Sequence, residues 1–306
     1  MALGEKIVVI TRFIRNLKRS SNPFLAEADD GHQYVVKSMR WGTPPKLLFN
    51  ECAGSALYRA CGLDVPEWKP ILLTKEFIDQ NRHEWTLAPR GLIGHESGLA
   101  FGSRYLGETG KPLFQILPGS DYPRVINRHD FWLAWLLDAC CFHPDNRQAI
   151  FLQLENNQFR AVFIDHGNNF GGPAGGSKCP PEASRYLDSR IYDTTTGPDP
   201  QLLTARSTRF DEVLLWDQIN RIPRELRTYS AIASFCDCLT RLKNTRLISS
   251  IADSLASRIF DGMRSERPND VNSEQQAAEV LCSVVRRGQA ECVDRSVSAG
   301  TRSSAS

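Results

Sequence analysis

A chain of 306 residues, 41% of them hydrophobic, is long enough to bury one large core or two modest ones. Its formal net charge of +2 does not favour nucleic acid or an anionic membrane as partner. The nine cysteines form no CxxC pair and no zinc-ligand spacing; most lie in apolar stretches and read as reduced, buried thiols of a cytosolic protein.

Lys6 to Phe13 reads as a first strand. The apolar run Ile7 to Ile10 within it is too short for a signal peptide. Phe24 to Ala28 and Gln33 to Ser38 follow as a hairpin, since Asp29-Asp30-Gly31 supplies the backbone freedom of a tight turn. After Pro44-Pro45, residues Lys46 to Cys61 place Leu48, Cys52, Leu57 and Cys61 at helical spacing, and Gly62 suits a C-cap. Trp68 to Leu73 and Leu99 to Leu106 are strand-like.

Beyond about residue 108 the pattern turns helical. Arg128 to Phe142 sets Trp132, Trp135, Leu136 and Ala139 on one face, so the two tryptophans are expected in the core and Cys140-Cys141 in buried packing. The longest apolar run, Phe131 to Leu137, is far short of the ~18 residues of a membrane span, so the cytoplasm is expected and membrane contact is not. Ala149 to Leu154 and Phe159 to Ile164 make a second hairpin around Glu155 to Gln158. Gly167 to Gly176 is too glycine-rich for regular structure and is expected as a mobile loop over the site. Helical patterns return at Arg209 to Gln218, Arg224 to Asn244 and Thr245 to Met263. After Pro268 the chain is polar, with a short helix expected over Ser273 to Val285 and disorder over 289–306.

The second hairpin carries the chemistry. Closure around Asn156 and Asn157 sets Asp165 opposite Gln148, a few residues from Asp145, so two carboxylates converge at one sheet end. Two such acids raise each other's pKa unless a cation such as Mg²⁺ neutralises them or one works as a base. Phosphoryl transfer uses that pair of roles, one Asp orienting the attacking hydroxyl and another holding metal on the phosphates. Upstream, Lys37 ends a strand and Glu51 lies in the next helix, where the two can meet and present an ammonium to the α and β phosphates of ATP. Alone, each is usually a solvent-facing charge. The order strand Lys, helix Glu, hinge strand, apolar helix, Asp, hairpin, Asp is far more specific.

Residues of about 10 to 176 resemble the HipA-like kinases, bacterial proteins of protein-kinase-like fold. The resemblance rests on PFLAEADDGHQYVVK (23–37), NECAGSALYRACGLDVPE (50–67), GLAFGSRYLG (98–107), HPDNRQAIF (143–151) and IDHGNNFGG (164–172). It implies an α+β, two-lobed structure: a sheet-rich lobe over 1–107, a helical lobe over 108–265 and a polar tail over 266–306. It implies an ATP-dependent phosphotransferase acting on Ser or Thr of a protein. By the same resemblance Asp145 matches the catalytic-loop aspartate and Asp165 the metal-binding one. Lys37 and Glu51 match the phosphate-positioning pair, and the backbone following Ser103-Arg104-Tyr105 matches the hinge against which adenine lies.

The sequence departs from the pattern at one metal position. Family catalytic loops read Asp-Arg-His-x-x-Asn, and the final Asn is here Ile150, which cannot ligate metal. Arg147 and Gln148 are the polar neighbours, and Gln148 can offer a carbonyl oxygen to the metal. The phosphate-covering segment Lys18 to Asn22 lacks GxGxxG and has only backbone N–H groups and serines for phosphate. A catalytically impaired, nucleotide-binding or partner-binding module is therefore the alternative, and a metal-dependent hydrolase a third. His143 and His166, beside the two acids, are expected to brace backbone; Arg185, Arg190 and Arg206 are expected as solvated surface.

Overall fold

The computed structural model describes residues 7–17, 22–40, 44–84, 87–88, 91–92, 94–172, 184–193 and 198–265. The expectations for the segment 18–21, for the helix over Ser273 to Val285 and for the polar tail lie outside them.

Strands β1 (Val8–Asn16), β2 (Phe24–Ala28), β3 (Gln33–Arg40) and β4 (Trp68–Leu73) join β7 (His95–Arg104) in a closed barrel of order β1-β2-β3-β7-β4. Gly31 takes φ +79° in the β2–β3 turn, as Asp29-Asp30-Gly31 leads one to expect. β1 closes the barrel by parallel pairing of Val8 with Ile71 and Val9 with Leu72. Phe24, Val36, Ile71 and Ala100 fill the interior, and Phe77 closes it from α2 (Lys75–Gln80), a short helix capped by Thr74. β5 (Leu87–Ala88) and β6 (Gly91–Leu92) form a separate small ribbon.

Helix α1 (Pro45–Ala60) packs beside the barrel and is buried at nearly every position from Lys46 to Tyr58. Pro45 starts it at a position where a missing N–H costs nothing. Gly62 ends it at φ +82°: its N–H reaches Arg59 O and that of Leu63 reaches Tyr58 O, the paired bonds of a Schellman cap.

The remaining part is helical around a small sheet. α3 (Asp130–Cys141) is buried all round, with Trp132, Trp135, Cys140 and Cys141 in the core. Its last turn stops at Phe142 in the left-handed region. β8 (Leu113–Phe114), β9 (Gln148–Gln153) and β10 (Phe159–Ile164) form the sheet of order β10-β9-β8. α4 (Pro200–Thr208), α5 (Glu212–Arg221), α6 (Tyr229–Lys243) and α7 (Thr245–Ser265) follow. α4 answers to no expected helix, although Asp199 before Pro200 is a cap-and-start signal and Asp199 does cap it. Arg185 and Arg190 are exposed, as expected, although Arg190 pairs with Asp188; Arg206 is half-buried and pairs with Asp130. Among the described residues no helix is long and apolar enough to cross a membrane.

Candidate active site

The site is built where the barrel, α1 and the β9–β10 hairpin meet. β3 is antiparallel to β7 and delivers Lys37 from mid-strand, opposite Phe101; α1 delivers Glu51 from its fully buried side. Lys37 Nζ binds Glu51 Oε1 and lies 2.6 Å from Asp165 Oδ1. The two residues expected to pair do pair, and Asp165 is drawn into the same cluster.

The hairpin register differs from the expected one. Leu154 N–H donates to Gln158 O, and Asn156 and Asn157 both adopt φ +58°, which centres the loop on Asn156 alone. Ile164 therefore stands opposite Gln148, and Asp165 lies just beyond the ladder. Gln148 still reaches it: its Nε2 donates to Asp165 Oδ2 at 2.5 Å. Asp165 takes φ +66° there, turning its carboxylate toward Lys37.

At Asp165 the neutralising cation is the protein's own Lys37. Burial pushes Asp165 up, but the charge and hydrogen bond of Lys37, with Arg147 and His143 behind them, more than reverse this and hold it well below the carboxylate range. Burial works against the Lys37 ammonium, and Glu51 and Asp165 overcome it, holding its pKa above the ordinary value. Burial leaves Glu51 above its usual pKa even though Lys37 and the His166 N–H bind its carboxylate. Asp145 is exposed and takes a hydrogen bond from Asn168 Nδ2.

His143 braces backbone, as expected, whereas the His166 ring meets side chains, with Nδ1 3.3 Å from Arg147 Nη1 and the ring packed against Tyr58. His143 Nδ1 lies 2.9 Å from Asp145 O and Nε2 3.3 Å from Asp165 O, so one ring bridges the two acid-bearing segments. Burial and then Arg147 lower its pKa; a neutral ring has one N–H and can donate to one of those carbonyls. Among the described residues no group of three His, Cys, Asp or Glu side chains is set to hold a metal.

Arg147 is not a metal-side group. It is 2% exposed and turned inward, where Nε and Nη2 grip both oxygens of Asp138 at 2.8 and 2.7 Å. Its Nη1 donates to Ile164 O at 2.9 Å, and Tyr58 O–H completes Asp138. Ile150 lies within β9 opposite Val162 and offers no ligand.

The glycine-rich stretch is ordered where it is described. Asn50 Nδ2 donates to Gly167 O at 2.9 Å and to Asn169 O at 2.7 Å, and Gly171 N–H donates to Cys141 O. Residues 167–172 are thus a pinned turn rather than a mobile loop; the rest, from 173 on, lies outside the described residues. Neither asparagine has a local signal in the sequence: Asn168 lies among the glycines, and Asn50 lies in α1, far from the turn it holds.

At the expected hinge, Ser103 is flanked by Val35 and Trp68 within the barrel. Arg104 N–H donates to Glu67 O at 2.7 Å and Tyr105 N–H to Gln33 O at 2.8 Å. Those two donors are spent on protein carbonyls, so an adenine edge would have to meet the backbone after Tyr105.

Residues 8–125 match the sequence profile of the HipA-like kinase family. The fold is similar to that of the Helicobacter pylori proinflammatory kinase CtkA, with 12% identity and a TM-score of 0.52 over 82% of this chain and 100% of that chain. The Golgi casein kinase with Mn/ADP bound aligns at 16% identity and a TM-score of 0.49, over 83% of this chain and 74% of that chain. No curated protein matches the sequence. The architecture is a kinase-type, two-lobed mixed α/β fold with a sheet-rich first part and a helical second part.

Proposed function

We propose, from the likeness of residues 8–125 to HipA-like kinases, that the protein is an ATP-dependent phosphotransferase acting on a Ser or Thr hydroxyl of a protein. The observation that carries this reading is Lys37 held between Glu51 and Asp165 by an ion pair on each side. A lysine so fixed keeps its charge at neutral pH and offers a remaining N–H to phosphate oxygens. The backbone after Tyr105 takes the adenine.

The residues fit one divalent cation such as Mg²⁺. Asp165 is ionised and supplies a hard oxygen, and both its oxygens now face N–H donors where a cation would compete. Gln148 shows its amide nitrogen to Asp165; half a turn of the amide presents the oxygen instead. When bound, the ion would neutralise charge on the β and γ phosphates. Asp145 accepts the proton of the acceptor hydroxyl as its oxygen forms the new bond to the γ-phosphorus and the bond to the β-phosphate oxygen breaks, releasing ADP.

Ile150 favours a second reading, a nucleotide-binding module without transfer. One comparison separates the two. Asp145→Asn should lower transfer of label from ATP to protein by at least about a hundredfold while leaving nucleotide affinity, measured by calorimetry, within about twofold. Nucleotide binding without any transfer by the wild type would favour the module; neither binding nor transfer would remove both readings.

A further inference from the structure

Asp145 has a single hydrogen bond to its carboxylate among the described residues, from Asn168 Nδ2 to Oδ2. Its backbone carbonyl is held by the His143 ring, but the residue is exposed and lies on the segment between Pro144 and β9. Asn168, by contrast, stands on a rigid support. It lies between two residues whose carbonyls are both held by Asn50, itself 0% exposed and next to Glu51 in α1. Asn169 N–H closes the turn onto His166 O at 2.9 Å, and Gly172 N–H onto Asn169 O at 3.2 Å.

We infer that Asn168 is the positioning residue for the catalytic base, an inference that rests on the phosphotransferase reading. A carboxylate on an exposed segment rotates freely, and a base that turns away from the acceptor loses its proton-transfer geometry. Donation to Oδ2 holds the group and leaves Oδ1 unengaged for the hydroxyl proton. The arrangement also answers the departure at Ile150. Among the described residues no amide reaches Asp145 from the neighbouring β9, and one arrives from the turn three residues after Asp165. Asp145 and Asp165 are thereby coupled through one short turn as well as through the His143 ring.

Steady-state transfer from labelled ATP by the full chain tests this, with Mn·ADP affinity read separately by calorimetry. Asn168→Ala should lower kcat about tenfold or more and leave both KM for ATP and the Mn·ADP dissociation constant within about twofold. Asn168→Asp keeps the size but faces Asp145 with a like charge, and should fall at least as far. On an Asp145→Asn background either change should lower the residual rate by less than about twofold, because the group being oriented has already lost its function. An unchanged kcat, or full additivity with Asp145→Asn, overturns the inference. So does a tenfold loss of Mn·ADP affinity, which would make Asn168 a ligand of the ion. Wild type that transfers no phosphate removes the phosphotransferase reading itself and the inference with it, and is told apart by needing no variant.

Discussion

Asp165 sits at φ +66° without a glycine's freedom, and Phe142 and Phe170 near it do likewise at +52° and +58°. Such conformations cost on the order of 1 kcal/mol each and persist where the surroundings hold them, as Lys37, Gln148 and the His143 ring hold Asp165. Its depressed pKa makes the acid side of the stability curve readable. A carboxylate lowered in the folded state stabilises fully above its unfolded pKa, near 4, and the contribution fades as pH falls toward the folded value. Asp165→Asn should therefore be less stable than wild type at pH 7, and the gap should narrow progressively as pH falls below about 4. The side chain is 34% exposed, so solvent screening limits the gap to about 1 kcal/mol, or about 2–4 °C in melting temperature. Thermal melts at pH 7 and pH 3 check this; a gap that widened in acid would place the charge elsewhere.

Helix α1 packs closely against the turn after Asp165 through Gly54. A Cβ there would lie 2.5 Å from His166 Cβ and 2.7 Å from Asn169 Nδ2. Alanine is the better helix former by about 1 kcal/mol, so exposure alone would make Gly54→Ala stabilising. The clash decides the sign, because His166 Cβ is fixed to the backbone beside Asp165 and cannot swing away. Gly54→Ala should destabilise by about 1–2 kcal/mol in denaturant titration, and moving α1 should weaken the grip of Glu51 on Lys37 and lower transfer. Little of this was legible in advance. The ends of α1 were, since Pro44-Pro45 and Gly62 are local signals, and so was the pairing of Lys37 with Glu51 by order along the chain. Gly54 sits mid-helix, where a glycine reads only as a weak point. The hairpin register was misread by one step because two adjacent asparagines suit a two-residue turn and also the wider loop observed.

Across the molecule, barrel closure joins strands far apart in sequence, and the buried Asp138–Arg147 pair, though only nine residues apart, ties α3 to the segment before β9, so neither had a periodic or motif signature. Parallel contact between β1 and β4 joins residues on either side of α1. Arg147 joins more: α3 through Asp138, the end of β10 through Ile164 O, and α1 through Tyr58, whose ring lies 5.2 Å beneath the guanidinium. The barrel-side helix and the acid-bearing hairpin are thus held in one network of fully desolvated groups. In such a site the cost of breaking the pair exceeds the benefit of having it, because the remaining charge is left without solvent. Arg147→Met alone should lose about 3–5 kcal/mol in denaturant at pH 7, with Asp138 stranded. Asp138→Asn added to it removes the stranded charge, and the double variant should recover at least about 1 kcal/mol relative to Arg147→Met. The recovery should be partial, since Ile164 O has lost its donor. A double variant no more stable than Arg147→Met would mean that loss of the guanidinium's packing and hydrogen bonds, and not the uncompensated carboxylate, sets the cost.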